Sequence, residues 1–136
     1  MASCSSADFW GDVDLGNAFY YMTEPTYNCI NLSESPDNPM KTSSFVIRDI
    51  EFVGFNDNYI LAINKTKDTL RYWIIDKTQP TIRQGYRDSS NLLLTNVKQS
   101  LDSFEFIRIK TETNIQLLSK KDYQKKYNWD KSNTSD

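Results

Sequence analysis

The 136-residue chain contains no histidine and only two cysteines, Cys4 and Cys29. Without His there is no Ser-His-Asp or Cys-His triad, no imidazole metal ligand and no imidazole acid-base group working near neutral pH. Two cysteines fall short of a four-ligand zinc set, and no CxxC occurs. Gly and Pro number four each, too few for a collagen-like or low-complexity chain. The longest apolar runs, Ala18 to Met22 and Tyr59 to Ile63, are far below the roughly 20 residues of a membrane-spanning helix. SxxK, GxSxG and glycine-rich phosphate loops are also missing, so no catalytic residue, cofactor site or metal site is assigned and a non-enzymatic protein is expected.

What is present is a single domain's worth of core material: 38% apolar and 13% aromatic residues. The charge is uneven. Residues 1–68 carry 4 basic and 10 acidic side chains and residues 69–136 carry 12 and 8, so a net −6 is followed by +4. Internal pairing of the halves accounts for this, and so does a dipolar surface that selects a charged partner. A sequence pI near 5.1 argues against nucleic acid as that partner.

The pattern predicts an α+β domain, mainly an antiparallel β-sheet with one or two short helices packed on it. Phe19–Met22 and Tyr27–Ile30 read as strands around a bend at Pro25, and Ser33–Thr42 as a surface loop. Three β-prone runs follow, Ser44–Phe55, Asn58–Asn64 and Thr69–Asp76, punctuated by Asn56-Asp57-Asn58 and by Asn64 to Asp68; they predict an antiparallel meander. In the third run Leu70, Tyr72 and Ile74 share one face and Trp73 and Ile75 the other, so both faces should be covered. Leu93, Leu94, Val97 and Leu101 predict a helix from about Ser90 to Leu101. Phe104–Lys110 reads as a strand, turning near Glu112 into another at Asn114–Leu118 as a second hairpin. Ser119 and Asp122 have capping-box spacing, with Leu118 and Tyr123 placed as a hydrophobic staple, predicting a helix from Lys120 to about Asn128. Its Tyr123 and Tyr127 would face the sheet, leaving Lys120, Lys121, Lys125 and Lys126 solvated or able to touch anionic lipid.

Asp12-Val13-Asp14-Leu15-Gly16-Asn17 fails the EF-hand spacing and reads as an acidic turn. Aromatic clusters exceed what a small core requires, and Trp10, Tyr20, Tyr21, Tyr72 and Trp73 are the candidate interface residues for an unidentified protein or small ligand.

Met1-Ala2-Ser3-Cys4 followed by Ser5-Ser6 resembles the end of a bacterial lipoprotein signal, in which the Cys carries the lipid. That resemblance implies an apolar stretch ahead of Met1 in the precursor, lipid attachment at Cys4 and residues 1–11 as a flexible arm after it. Residues 12–129 are expected to be the single globular domain, and the polar run after Trp129 makes 130–136 a frayed tail. Cys29 is then a lone buried thiol; without lipidation, a Cys4–Cys29 disulfide is the alternative. Asp14-Leu15-Gly16-Asn17-Ala18-Phe19-Tyr20-Tyr21, Gly54-Phe55-Asn56-Asp57-Asn58-Tyr59-Ile60 and Tyr72-Trp73-Ile74-Ile75-Asp76-Lys77 together resemble an uncharacterised family of small bacterial envelope proteins, many apparently lipoproteins. The likeness covers roughly residues 12–90. It implies an exported, membrane-anchored, mostly β domain and carries no known activity. Two functions are compatible with these features: an envelope lipoprotein acting as a binding module, or an immunity or inhibitor protein that masks a toxin. A cytoplasmic location is the alternative to the envelope.

Overall fold

The computed structural model of the chain describes residues 12–23, 28–33, 43–88 and 90–127. Their architecture is α+β, dominated by antiparallel strands, with two short helices among the described residues. The first sheet has the order β1-β2-β3-β4, from β1 (Asp12–Gly16), β2 (Phe19–Met22), β3 (Cys29–Ser33) and β4 (Ser43–Ile47). The second is built from β5 (Ile50–Phe55), β6 (Tyr59–Thr66), β7 (Thr69–Asp76) and β10 (Val97–Ser100), in the order β10-β7-β6-β5. A two-stranded ribbon pairs β8 (Arg83–Tyr86) with β9 (Leu92–Leu94). Helices α1 (Phe104–Thr113) and α2 (Lys120–Tyr127) complete the chain.

Side-chain alternation explains the layering. In β1 and β2, Val13, Leu15, Phe19 and Tyr21 turn inward while Asp14 stays outside. They join Ile30, Val46 and Ile47 from the first sheet, Val53, Ile60, Ala62, Trp73 and Ile75 from the second, Leu92 and Leu94 of β9, and Tyr123 of α2 in one core. The opposite face of the second sheet holds a smaller core, in which Leu61 and Ile74 pack with Phe106 and Ile109 of α1 and with Ile115. Both faces of the central meander are covered, as the apolar character of both faces of β7 requires.

Turn chemistry sets the hairpins. Asn17 and Ala18 take φ of 53° and 71°, and Lys67 and Asp68 take 50° and 65°. These left-handed pairs have the twist that two-residue hairpin loops need. Between β5 and β6 the Asn56 carboxamide oxygen accepts from the N–H groups of Asn58 and Tyr59, both at 2.8 Å.

Several expectations are corrected. Of the acidic segment, Asp12–Gly16 is a strand, β1, because Val13 and Leu15 enter the core, and Asn17 alone belongs to a turn. Ser44–Phe55 is two strands in two different sheets: the chain turns at Arg48–Asp49, where Asp49 has φ 58°. Asparagine side chains hold that corner, Asn64 donating to the Arg48 carbonyl at 2.9 Å and Asn28 to the Ile50 carbonyl at 2.6 Å. Residues 90–101 form β9 and β10 rather than a helix. Leu92 and Leu94 are buried and Leu93 exposed, and Thr95-Asn96 turns the chain between sheets, with the Thr95 N–H donating to the Ile82 carbonyl and the Asn96 side chain to the Asp76 carbonyl.

Residues 104–113 are a helix rather than a strand, since packing Phe106 and Ile109, three apart, on the second sheet overrides the β-prone composition. The expected second hairpin is thereby lost. Asn114 ends the helix with φ 58°, and the segment after it reaches β5, where Leu118 bridges to Val53. The capping box of the last helix forms as its spacing predicts: Ser119 N–H donates to the Asp122 carboxylate at 2.9 Å and Asp122 N–H to the Ser119 hydroxyl at 3.2 Å. Tyr123 is buried while Lys121, Lys125 and Lys126 are exposed; the side chain of Tyr127 lies outside the described set. The Pro25 bend, most of the 33–42 loop, the N-terminal arm and the C-terminal tail are also outside the described residues.

Candidate functional site

The aromatic residues selected from the sequence do not form one surface. Tyr21 is fully buried, donates from its hydroxyl to the Asn28 side chain at 2.6 Å and meets Tyr123 edge-on at 5.6 Å. Trp73 is 4% exposed, donates from Nε1 to Asn64 Oδ1 at 2.9 Å and lies under the Arg87 guanidinium at 4.5 Å. Tyr72 is half-buried on the other face of the sheet, edge-on to Phe106 at 5.3 Å. Tyr21 and Trp73 are therefore core rather than interface, because both turn into the core between the two sheets, whereas Tyr72, half-buried, sits at the seam between sheet and helix. Tyr20 remains partly at the surface, its phenol pKa raised by burial and by the nearby Asp14 and Asp12 carboxylates. Trp10 and Cys4 lie outside the described residues.

The β1–β2 turn, Phe55 at the end of β5 and Lys77 after β7 converge on a structural tie. Lys77 donates from Nζ to the Leu15 carbonyl at 2.5 Å, stands 5.6 Å from the Phe55 ring centroid, and accepts at its own carbonyl from the Asn17 side chain at 3.0 Å. A Cβ on Gly16 would approach the Lys77 ammonium to 2.7 Å, so the glycine gives the lysine its path between the sheets. Partial burial lowers the Lys77 pKa. Arg87 is a second clamp, donating to the Val46 carbonyl at 2.7 Å and the Leu92 carbonyl at 3.3 Å. Both cations hold sheets together. Cys29 is a buried free thiol that donates to Asn31 Oδ1 at 3.1 Å, and burial pushes its pKa up to about 11.

The surface that differs from the rest is built by β10 and the first two turns of α1. Leu101, Phe104 and Ile107 are 65%, 80% and 52% exposed. On α1 the pair Phe104 and Ile107 forms an outer apolar stripe, and Phe106 and Ile109 the inner one that packs on the sheet. Beside the outer stripe runs an open groove of about 900 Å³, lined by Lys98, Gln99 and Ser100 of β10 and by Phe104, Ile107 and Arg108 of α1. Deeper, between β7, β10 and α1, lies a cavity of about 370 Å³ whose lining includes Tyr59, Asp76, Asn96 and Ile109.

Ion pairs link several charges around these hollows, while the Asp102 carboxylate at the groove accepts from the Phe104 N–H at 3.0 Å and the Asp76 carboxylate at the cavity from the Thr78 N–H at 2.9 Å. Lys98 meets Glu105 at 3.1 Å, and Arg108 meets Glu112 at 3.1 Å and Glu105 at 3.8 Å. Such exposed pairs add little stability. Their effect is to leave an apolar surface with a locally neutral rim. Ile82, Tyr86 and Leu93 form a smaller exposed apolar set around the β8–β9 ribbon.

The lining groups offer hydrogen bonds and apolar contact. Among the described residues no three His, Cys, Asp or Glu side chains converge as metal ligands. No described helix is long and apolar enough to cross a membrane. The sequence reading missed Leu101, Phe104 and Ile107 as a surface because their signal, two apolar stripes on one short helix, exists only once residues 104–113 are helical. Compared with known proteins, the chain matches no family model, no curated protein and no solved structure.

Proposed function

We propose that this domain is a non-enzymatic binding module of the bacterial cell envelope, anchored through a lipid on Cys4, and that it engages a protein partner through the surface of β10 and α1. The single observation that carries the binding role is the exposure of Phe104 and Ile107, three apart on α1, in the lining of a groove of about 900 Å³, with exposed Leu101 just after β10. Contiguous apolar exposure next to a concavity marks interaction sites, whereas scattered apolar side chains do not. The lipobox-like Ala2-Ser3-Cys4 start and the family resemblance support the envelope location and the anchor.

An immunity or inhibitor protein that masks a toxin would use a surface of the same size. Such pairs rely on charge steering, and the internally paired charges around this groove favour the apolar binding module.

The test is site-specific photo-crosslinking in cells producing the full precursor, with a benzophenone side chain replacing Phe104, Ile107 or, as control, the exposed Tyr86. A discrete protein adduct from positions 104 and 107 and not from 86 is expected. Adducts from position 86 alone would overturn the assignment. In the same cells, Cys4→Ser is expected to abolish palmitate labelling and release the protein from membranes. Labelling that persists would remove the lipoprotein reading.

A further inference from the structure

We infer that the partner binds as an extended, uncharged segment that adds a strand to the open edge of β10, laying alternate apolar side chains against Leu101, Phe104 and Ile107. This inference rests on the assignment of the β10–α1 surface as the binding surface.

The two edges of the second sheet are treated differently. At the β5 edge the chain supplies its own bridge: Val53 N–H donates to the Leu118 carbonyl at 2.9 Å and Leu118 N–H to the Val53 carbonyl at 3.0 Å. Ile115 is buried in the core beneath α1, and Leu117 packs against that same core. At the β10 edge, among the described residues, no strand pairs with β10 other than β7. An unprotected edge next to an apolar surface is a template for another strand.

The direction of the backbone groups follows from the register. Lys77 N–H donates to the Asn58 carbonyl on the β6 side, and Asp76 N–H donates to the Asn96 carbonyl on the β10 side. Antiparallel ladders alternate, so Ile74 and Tyr72 also bond toward β10, using their partners Lys98 and Ser100. Val97 and Gln99 therefore turn their N–H and C=O groups outward. Those two residues can exchange up to about four backbone hydrogen bonds with an incoming strand. On the α1 side of such a strand, alternate side chains would meet the groove lined by Phe104 and Ile107.

Charge selects the kind of segment. The ions lining the groove, Lys98 and Arg108 against Asp102 and Glu105, sum to zero, with Lys98 and Arg108 each paired to Glu105 and the Asp102 carboxylate accepting from the Phe104 N–H, so the lining offers no net charge to select a charged segment. The chain's own Ile-Gln-Leu-Leu at 115–118, uncharged and mostly apolar, is the type of segment that seals the opposite edge.

The experiment is a titration of the isotope-labelled chain with the neutral probe acetyl-Thr-Val-Thr-Leu-Thr-Val-Thr-amide, followed by amide NMR to probe concentrations of about 1 mM. Shifts are expected at Val97, Gln99, Phe104 and Ile107, with slowed hydrogen exchange at the amides of Val97 and Gln99. A probe N-methylated on the edge that faces β10, and the variant Gln99→Pro, should each bind about tenfold more weakly, because each removes backbone hydrogen bonds. Proline is tolerated at an outward-facing edge position, so Gln99→Pro should still fold.

Absence of shifts, or equal binding of the methylated probe, would overturn strand addition. Self-association through the same β10 amides without probe would assign the edge to a second copy of the chain and would also overturn it. A partner crosslinked at 104 and 107 whose capture is unchanged by Gln99→Pro would preserve the binding surface while refuting the strand.

Discussion

Replacing Gly54 by alanine tests how the second sheet is sealed at β5. An added Cβ would run into the Gln116 carbonyl and approach Ile115 Cγ2 to 2.7 Å, and the first of these neighbours is backbone, so the segment at 115–118 must move away. That segment is held to β5 by the two hydrogen bonds between Val53 and Leu118, and the Val53 carbonyl also accepts from the Tyr123 hydroxyl at 2.8 Å. Losing the two backbone bonds costs about 1 kcal/mol each. Overpacking adds about 1–3 kcal/mol, for a total of about 3–5 kcal/mol. At roughly 3–5 °C per kcal/mol for a domain of this size, Gly54→Ala should lower Tm by about 10–20 °C. The assay is a thermal melt followed by far-UV circular dichroism, with amide exchange measured at Val53 and Leu118. A fall in Tm below about 3 °C, with both amides still protected, would refute the close-approach reasoning.

Two further perturbations probe other parts of the fold. Cys29 should resist iodoacetamide in the native protein at pH 8 and react only on unfolding, as followed by mass spectrometry, since its thiol is buried with a pKa near 11. Because the folded pKa is raised above the ordinary value of 9.0, the thiol's contribution to stability is complete below about pH 9 and declines as pH rises toward 11; denaturant midpoints of wild type and Cys29→Ala across that range should converge accordingly. Trp73→Phe deprives the buried Asn64 Oδ1 of its donor and removes indole area beneath Arg87, so urea titration should show a loss of about 2–3 kcal/mol, and a loss under about 0.5 kcal/mol would contradict the assigned hydrogen bond.

The elements legible in the sequence are those whose signal is local. The β5-β6-β7 meander follows from two-sided apolar runs separated by Asn-Asp turn residues, and the start of α2 from Ser119 and Asp122 at capping-box spacing. The segment from 90 to 118 is ambiguous in sequence because short apolar runs fit either period. Leu93, Leu94, Val97 and Leu101 have helical spacing, yet Leu92 and Leu94 are the buried pair. Phe104, Phe106 and Ile107 have strand composition, yet α1 forms by burying positions three apart. The candidate site inherits that ambiguity, since the outer stripe of α1 is invisible while residues 104–110 are read as a strand.

The sequence by itself determined the class of fold, the two turns of the β5-β6-β7 meander, the last helix cap and the need to cover both faces of the central sheet. These depend on neighbours a few residues apart. Only the tertiary structure decided that Ser44–Phe55 divides between two sheets at Asp49, that Tyr21 and Trp73 are core, and that β5 is bridged by Leu118 while, among the described residues, no strand but β7 pairs with β10. Those outcomes depend on which distant face is available to bury a side chain or accept a backbone hydrogen bond. That information resides in the packing of the whole chain rather than in any short stretch of it.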